Sequence, residues 1–178
     1  MRKVLYIFGL LADTDVEWIA HTGTRRAVKV GEVLVEEGVG TDSVIILLEG
    51  EMAVTVKSVG EVARLGTGEI VGEMSFIDAA PPSATVTVTE PGLALFISKA
   101  ALGAKLRTDL AFASRFYYAL AVFLADRLRG TVRRLGYGEV QTLADAGLAA
   151  DDPGIQLLDN LAMAGDRFQR MLKLLSDG

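Results

Sequence analysis

The chain has no cysteine, one histidine and four prolines among its 178 residues. Without cysteine there is no disulfide framework, no thiolate metal centre and no cysteine nucleophile, and a reducing compartment is permitted. His21 alone leaves imidazole-based metal chemistry without a ligand set. Positive charge is also in short supply: 18 Lys and Arg stand against 23 Asp and Glu, a formal charge of −5. That balance argues against holding a phosphate backbone with the surface as a whole. Long apolar runs are missing too, since none reaches the roughly 18 residues of a membrane span. The nearest thing to an export signal is Met1-Arg2-Lys3 followed by the apolar run 4–12. There Leu10 stands where a small residue would precede a cut at Ala12, and Asp13-Thr14-Asp15 reads as a helix cap instead. A cytoplasmic protein is expected.

What is present is 51% hydrophobic residues, enough for one well-buried core plus an appendage. Residues 5–21 read as short helical pieces. Thr14 and Glu17 have capping-box spacing, and Val16, Ile19 and Ala20 fall on one apolar face. From Arg26 to Ile97 the texture changes to short β-rich runs at 27–30, 33–36, 43–48, 52–56, 62–65, 85–89 and 93–97. Gly31, Gly38, Gly50, Gly60, Gly66, Gly68 and Gly72 fall between or beside these runs, where the chain is expected to need positive φ or close backbone approach. This is the pattern of a barrel, roll or sandwich. The chain then turns helical, with a short helix at 99–106 and a long one at 110–135.

The long helix is apolar nearly all round between Phe116 and Ala125, so more than one side is expected to be covered. Ala121, Leu124, Leu128, Thr131 and Leu135 follow a 3-4-3-4 spacing suited to helix pairing, and a homodimer through this helix is expected over burial within one subunit. Gly136-Tyr137-Gly138 ends the helix and opens a linker over 136–152. Pro153, preceded by Asp151 and Asp152, starts an amphipathic helix over 153–178, with Leu157, Leu161, Phe168, Met171 and Leu175 close to one face. The division is thus 1–135, linker 136–152 and C-terminal helix 153–178.

The stretch from Leu65 to Val86 is the most informative. It reads as a glycine-rich turn, then Gly72-Glu73 opening a short helix, then a loop of small residues, Pro81-Pro82-Ser83-Ala84, entering a strand. Exposed N–H groups of a helix start and of such a loop favour an anion, and a neighbouring carboxylate accepts hydrogen bonds from sugar hydroxyls. A glycine-rich turn alone is weak, because hairpins in any β-roll need glycines.

The stretch resembles the phosphate-binding cassette of the cyclic nucleotide-binding domain family, which includes bacterial catabolite activators, kinase regulatory subunits and gated channels. The resemblance covers about residues 8–134 and takes in Gly31, Gly38 and Gly50, Leu65-Gly66-x-Gly68, Gly72-Glu73, the 81–86 exit and the helices that follow. It implies a mainly β fold with flanking helices, a jelly-roll-like β-roll followed by a long C-terminal helix. It implies a ligand-binding set of Gly72, Glu73, Met74, Ser75, Pro82, Ser83, Ala84 and Thr85. Within it Glu73 would accept from a ribose 2′-hydroxyl, Gly72 would admit the ligand to the backbone, and the backbone of Ser83 and Ala84 would face a cyclic phosphate. The family's phosphate-binding arginine would fall at Pro82, since the usual Pro-Arg-Ala-Ala-Thr-Val reads here Pro81-Pro82-Ser83-Ala84-Thr85-Val86. Loss of one charge-assisted hydrogen bond, about 1.5–3 kcal/mol, weakens binding on the order of ten- to a hundredfold. Pro82 also lacks an N–H. Arg115, Arg127 and Arg129 are substitutes to consider, although a solvated helix face is the expected reading for all three.

Other chemistries find less support. Arg127, Arg129, Arg133 and Arg134 hint at nucleic acid, but the residues after Gly138 are few and acidic and carry no paired-helix pattern with a basic recognition face, so no DNA-binding domain is expected. Glu36-Glu37 and Asp151-Asp152 read as turn and cap residues rather than acid–base pairs, and Trp18 and Tyr117-Tyr118 as packing. No enzyme, resident cofactor or metal is expected. The reading is a regulatory, cyclic-nucleotide-sensor type of domain with weak or altered binding of a cyclic mononucleotide such as cAMP or cGMP. The alternative is a non-binding β-roll that serves as a dimerisation or interaction scaffold.

Overall fold

The computed structural model describes residues 3–134 and 153–176. Two helices, α1 (Lys3–Leu10) and α2 (Asp13–Thr22), lead into six strands: β1 (Thr24–Val28), β2 (Val33–Val35), β3 (Ser43–Val56), β4 (Gly60–Gly66), β5 (Ile70–Val71) and β6 (Thr85–Ser98). The short α3 (Met74–Ile77) lies between β5 and β6, and α4 (Lys99–Thr108), α5 (Leu110–Arg134) and α6 (Pro153–Ser176) follow. All pairings are antiparallel, in the order β1-β6-β3-β4, with β2 added to β6 and β5 to β3. This is the cyclic nucleotide-binding type of β-roll with flanking helices and a long C-terminal helix that the sequence implied.

β3 shows why a roll results. Its side chains alternate between faces. Val44, Ile46 and Leu48 join the core under the helices, whereas Ile45, Leu47 and Met52 join a second core inside the roll with Val28, Val35, Val86 and Val88. A strand buried on both faces reads as a continuous apolar run.

Two pairs of expected strands are single long strands. The runs 43–48 and 52–56 are both β3, and 85–89 and 93–97 are both β6. Gly50 does not turn the chain back. It bulges β3 at φ 99°, and a Cβ there would meet Glu90 O at 2.8 Å. The register between β3 and β6 slips at that point, which bends both strands together. Of the glycines expected to be special, Gly66 alone has neither positive φ nor close backbone approach; it simply ends β4. β1 begins at Thr24, earlier than expected, because β6 offers partners from Phe96 to Gly92.

The cap of α2 also differs. Ala12 is the N-cap, and its N–H donates to Asp15 Oδ2 at 2.8 Å, so Thr14 and Glu17 are not the capping pair. Asp15 is chosen because it is held from the other side: it is 3% exposed, and Arg115 of α5 grips both its oxygens, at 2.6 and 2.9 Å. α5 buries Phe112, Phe116, Ala119, Leu120 and Phe123.

α6 docks on α1 and α2, placing Ala164, Phe168 and Met171 in the same core. Arg167 donates to Phe8 O and Gly9 O, the carbonyls that α1 leaves open at its C-terminus, and to Asp13. Arg25 donates to Leu175 O. The linker 136–152, Leu135 and the side chains of Leu157 and Leu161 lie outside the described residues. Among the described residues no helix is long and apolar enough to cross a membrane.

Candidate functional site

A cavity of about 430 Å³ opens between the roll and α5. That size is within the roughly 300–1,000 Å³ of small-molecule sites. Its floor is the turn after β5. Gly72 has φ 81°, and a Cβ there would sit 2.6 Å from Ser43 O, so only glycine lets the turn lie against the start of β3. The turn aims Glu73 inward at the start of α3, where it is 2% exposed.

Glu73 does not stand alone. Arg127 Nη1 donates to its Oε1 at 2.5 Å, while Arg127 Nη2 donates to Ile70 O at 3.1 Å and lies 3.8 Å from Glu69 Oε2. The same guanidinium stacks over the Phe123 ring, 4.7 Å from its centroid. Burial pushes the Glu73 carboxyl above its ordinary range, opposed by the charge of Arg127. Next to it, Ser75 Oγ donates to Gly72 O at 3.3 Å and accepts from Lys99 Nζ at 2.7 Å, which braces the turn from behind. Burial pushes the Lys99 ammonium downward.

The loop 81–84 forms the facing wall. Gly38 N donates to Pro82 O at 2.8 Å, which ties the loop to the turn after β2. Ahead of it, Ala79 adopts φ 56° beside a local turn in which Ala80 N donates to Asp78 Oδ1 at 2.9 Å. Ser83 is exposed and Ala84 half-buried.

Of the eight residues that the resemblance singled out, Gly72, Glu73, Met74, Ser75, Pro82, Ser83 and Ala84 line this one cavity. Thr85 does not: its hydroxyl accepts from Glu37 N at 3.1 Å at the start of β6. The lining residues outside the set include β-roll side chains and, from α5, Arg127 and Thr131. The expectation of solvated helix arginines is therefore corrected for Arg127, which meets Glu73, and for Arg115, which meets Asp15. Arg129 is half-buried and is not among the lining residues. The signal for Arg127 was present in the sequence: Phe116, Leu120, Phe123, Arg127 and Thr131 follow one 4-3-4-4 stripe, so a charge stands where the buried face of α5 continues. His21 lies on the exposed side of α2, with Nδ1 2.7 Å from Glu17 O.

The site can bind but offers little for catalysis. It combines a buried carboxylate, a tethered guanidinium, a serine hydroxyl and a neutral loop in an apolar shell of Val35, Val54, Leu65, Val71 and Val86.

Residues 25–109 match the family model of the cyclic nucleotide-binding domain. A cGMP-dependent protein kinase of Eimeria tenella is 30% identical over 92 residues, 52% of this chain and 9% of that kinase. A cyclic nucleotide-binding domain from Methylobacillus flagellatus superposes with a TM-score of 0.68 at 24% identity, covering 79% of this chain and 85% of that one. The catabolite activator protein of Thermus thermophilus gives 0.62 at 22% identity, over 97% and 87%. At these identities the structural likeness is one of fold. The family match contains the floor and the loop wall of the cavity and stops short of α5, which supplies Arg127 and Thr131.

Proposed function

We infer that this chain, a cyclic nucleotide-binding type of domain by its β-roll and by the match of residues 25–109, is a regulatory ligand-binding domain rather than an enzyme. The observation that carries this reading is the convergence of the Gly72–Ser75 turn, the 81–84 loop and α5 on one cavity. A ligand there touches both the roll and the helix that leaves it. Any affinity that differs between two settings of α5 is then a signal.

In this reading a cyclic mononucleotide sets its ribose against Glu73 and its phosphate against the backbone of Ser83 and Ala84. Pro82 offers that phosphate neither charge nor N–H, so the hold is weak. The output runs through α5 to a second copy of the chain. Leu128 is 64% exposed, and with Met74, Ile77 and Leu124 it lines an apolar groove of about 400 Å³ beside the ligand cavity. That groove supports the homodimer.

The test is a thermal-shift titration with cAMP, cGMP and a cyclic dinucleotide, in parallel with Glu73→Ala. At ligand about a hundredfold above Kd, stabilisation of about 2.7 kcal/mol raises Tm by about 5–10 °C in a chain of this size. The substitution removes that rise. No shift with any of the three at millimolar concentration would leave the cavity without a cyclic-nucleotide ligand.

A further inference from the structure

Every cation that lines the cavity is already compensated. Arg127 is held by Glu73, by Ile70 O and by the approach of Glu69, and its flat face is covered by Phe123. Arg64, at the rim, donates from Nε to Glu61 at 2.8 Å and from Nη1 to Glu51 at 2.8 Å. Two guanidiniums thus meet four carboxylates. Lys99, behind the turn, gives its ammonium to Ser75 Oγ and feels Asp42, Glu73 and Asp78. At the far wall Pro82 contributes no donor, and Ser83 and Ala84 contribute only neutral groups, which serve a hydroxyl or carbonyl oxygen as readily as a phosphate.

An anion entering this space finds both lining guanidiniums already engaged: Arg64 would have to leave Glu51 and Glu61 at the rim, and Arg127 would have to abandon a buried carboxylate. Freeing Arg127 would strand Glu73, 2% exposed, without its partner. An uncharged ligand meets no such conflict. It still finds a carboxylate able to accept from a hydroxyl and an apolar shell to cover a ring.

We propose that the ligand class of this cavity is uncharged: a hydroxylated ring compound of the nucleoside type, to whose affinity a phosphate adds nothing. The proposal rests on the reading of the cavity as a ligand site.

Calorimetric titration of the full chain with adenosine, guanosine, cAMP and cGMP, at about 50 mM and about 500 mM NaCl, tests it. The result expected is that at least one nucleoside binds within about threefold of its cyclic nucleotide, with a Kd unmoved by salt. Pro82→Arg, which adds a guanidinium to the far wall, then raises the ratio of cyclic nucleotide to nucleoside affinity by about tenfold or more and makes it salt-sensitive. A wild-type chain that binds a cyclic nucleotide about tenfold or more tighter than its nucleoside, with salt-weakened affinity, overturns the proposal and leaves the ligand-binding reading intact. So does a wild-type chain that binds none of the four while Pro82→Arg binds a cyclic nucleotide. If neither protein binds any of them, the reading of the cavity itself fails and the proposal falls with it.

Discussion

Glu73 is held in place at an energetic cost. Its carboxyl is nearly inaccessible to water, and a single partially exposed arginine faces it, so burial dominates and its proton is held more tightly than in the unfolded chain. The sign of the consequence follows from linkage. Below the unfolded value of 4.5 both states are protonated at this position. As pH rises from there through the raised folded value, the unfolded chain has released a proton that the folded chain still holds, so stability falls across that window. Asp13 and Glu32 act in the opposite sense: hydrogen bonds from Arg167 and Arg26 lower their carboxyls, and that contribution is lost as pH falls through the folded values. The expected outcome is a wild-type unfolding free energy that declines between about pH 4.5 and neutrality more steeply than that of Glu73→Gln, measured by urea denaturation. Parallel slopes in the two proteins would mean that Arg127 fully compensates the buried charge.

At this scale the sequence was half legible. The Gly72-Glu73 turn could be read because its chemistry is local: a glycine that excludes a Cβ, followed by the residue at the N-cap of a short helix. The partner of Glu73 could not be assigned from spacing alone, since Arg127 is 54 residues away and reaches it only because the roll and α5 pack as they do. Thr85 lies outside the cavity lining for a related reason. Strand direction sends its hydroxyl to the Glu37 amide rather than into the cavity.

The elements explain how the site is held. α5 is fixed at two points along its length, by Arg115 on Asp15 and by Arg127 on Glu73, with Phe116, Ala119, Leu120 and Phe123 buried between them. α1 lies against both α5 and α6, so α6 supports the long helix from behind. Helix existence was legible from periodicity, and the amphipathic face of α6 called for a surface to cover it. Which surface is a tertiary matter, decided by the Phe8–Phe168 ring contact and by Arg167 closing the end of α1. The long strands were hidden by their own bulges, because Gly50 and Pro91-Gly92 carry turn chemistry into the middle of strands. Phe168→Ala is expected to cost about 3 kcal/mol, the low end for a buried phenylalanine. That lowers Tm by about 6–12 °C in a circular dichroism melt. An unchanged melt would show α6 undocked in solution.

On the scale of the whole molecule, the ligand cavity and the apolar groove are neighbours that share Met74, Arg127 and Thr131. Leu128 projects from the same turns of α5, and Met74 and Ile77 from the short helix that Glu73 opens, so what moves Arg127 also reshapes the groove. If the groove is the dimer contact, ligand and partner must influence each other by the same free energy in both directions. Leu128→Asp places a charge in the middle of that apolar surface, outside the ligand cavity. It is expected to weaken self-association by about tenfold or more, equivalent to about 1.4 kcal/mol. Sedimentation velocity over a concentration series reads this directly. Repeating the series with saturating ligand shifts the wild-type dimer constant and leaves the already dissociated variant unaffected. A wild-type chain that stays monomeric throughout, with and without ligand, would remove the second copy as the partner and leave the groove to a different protein.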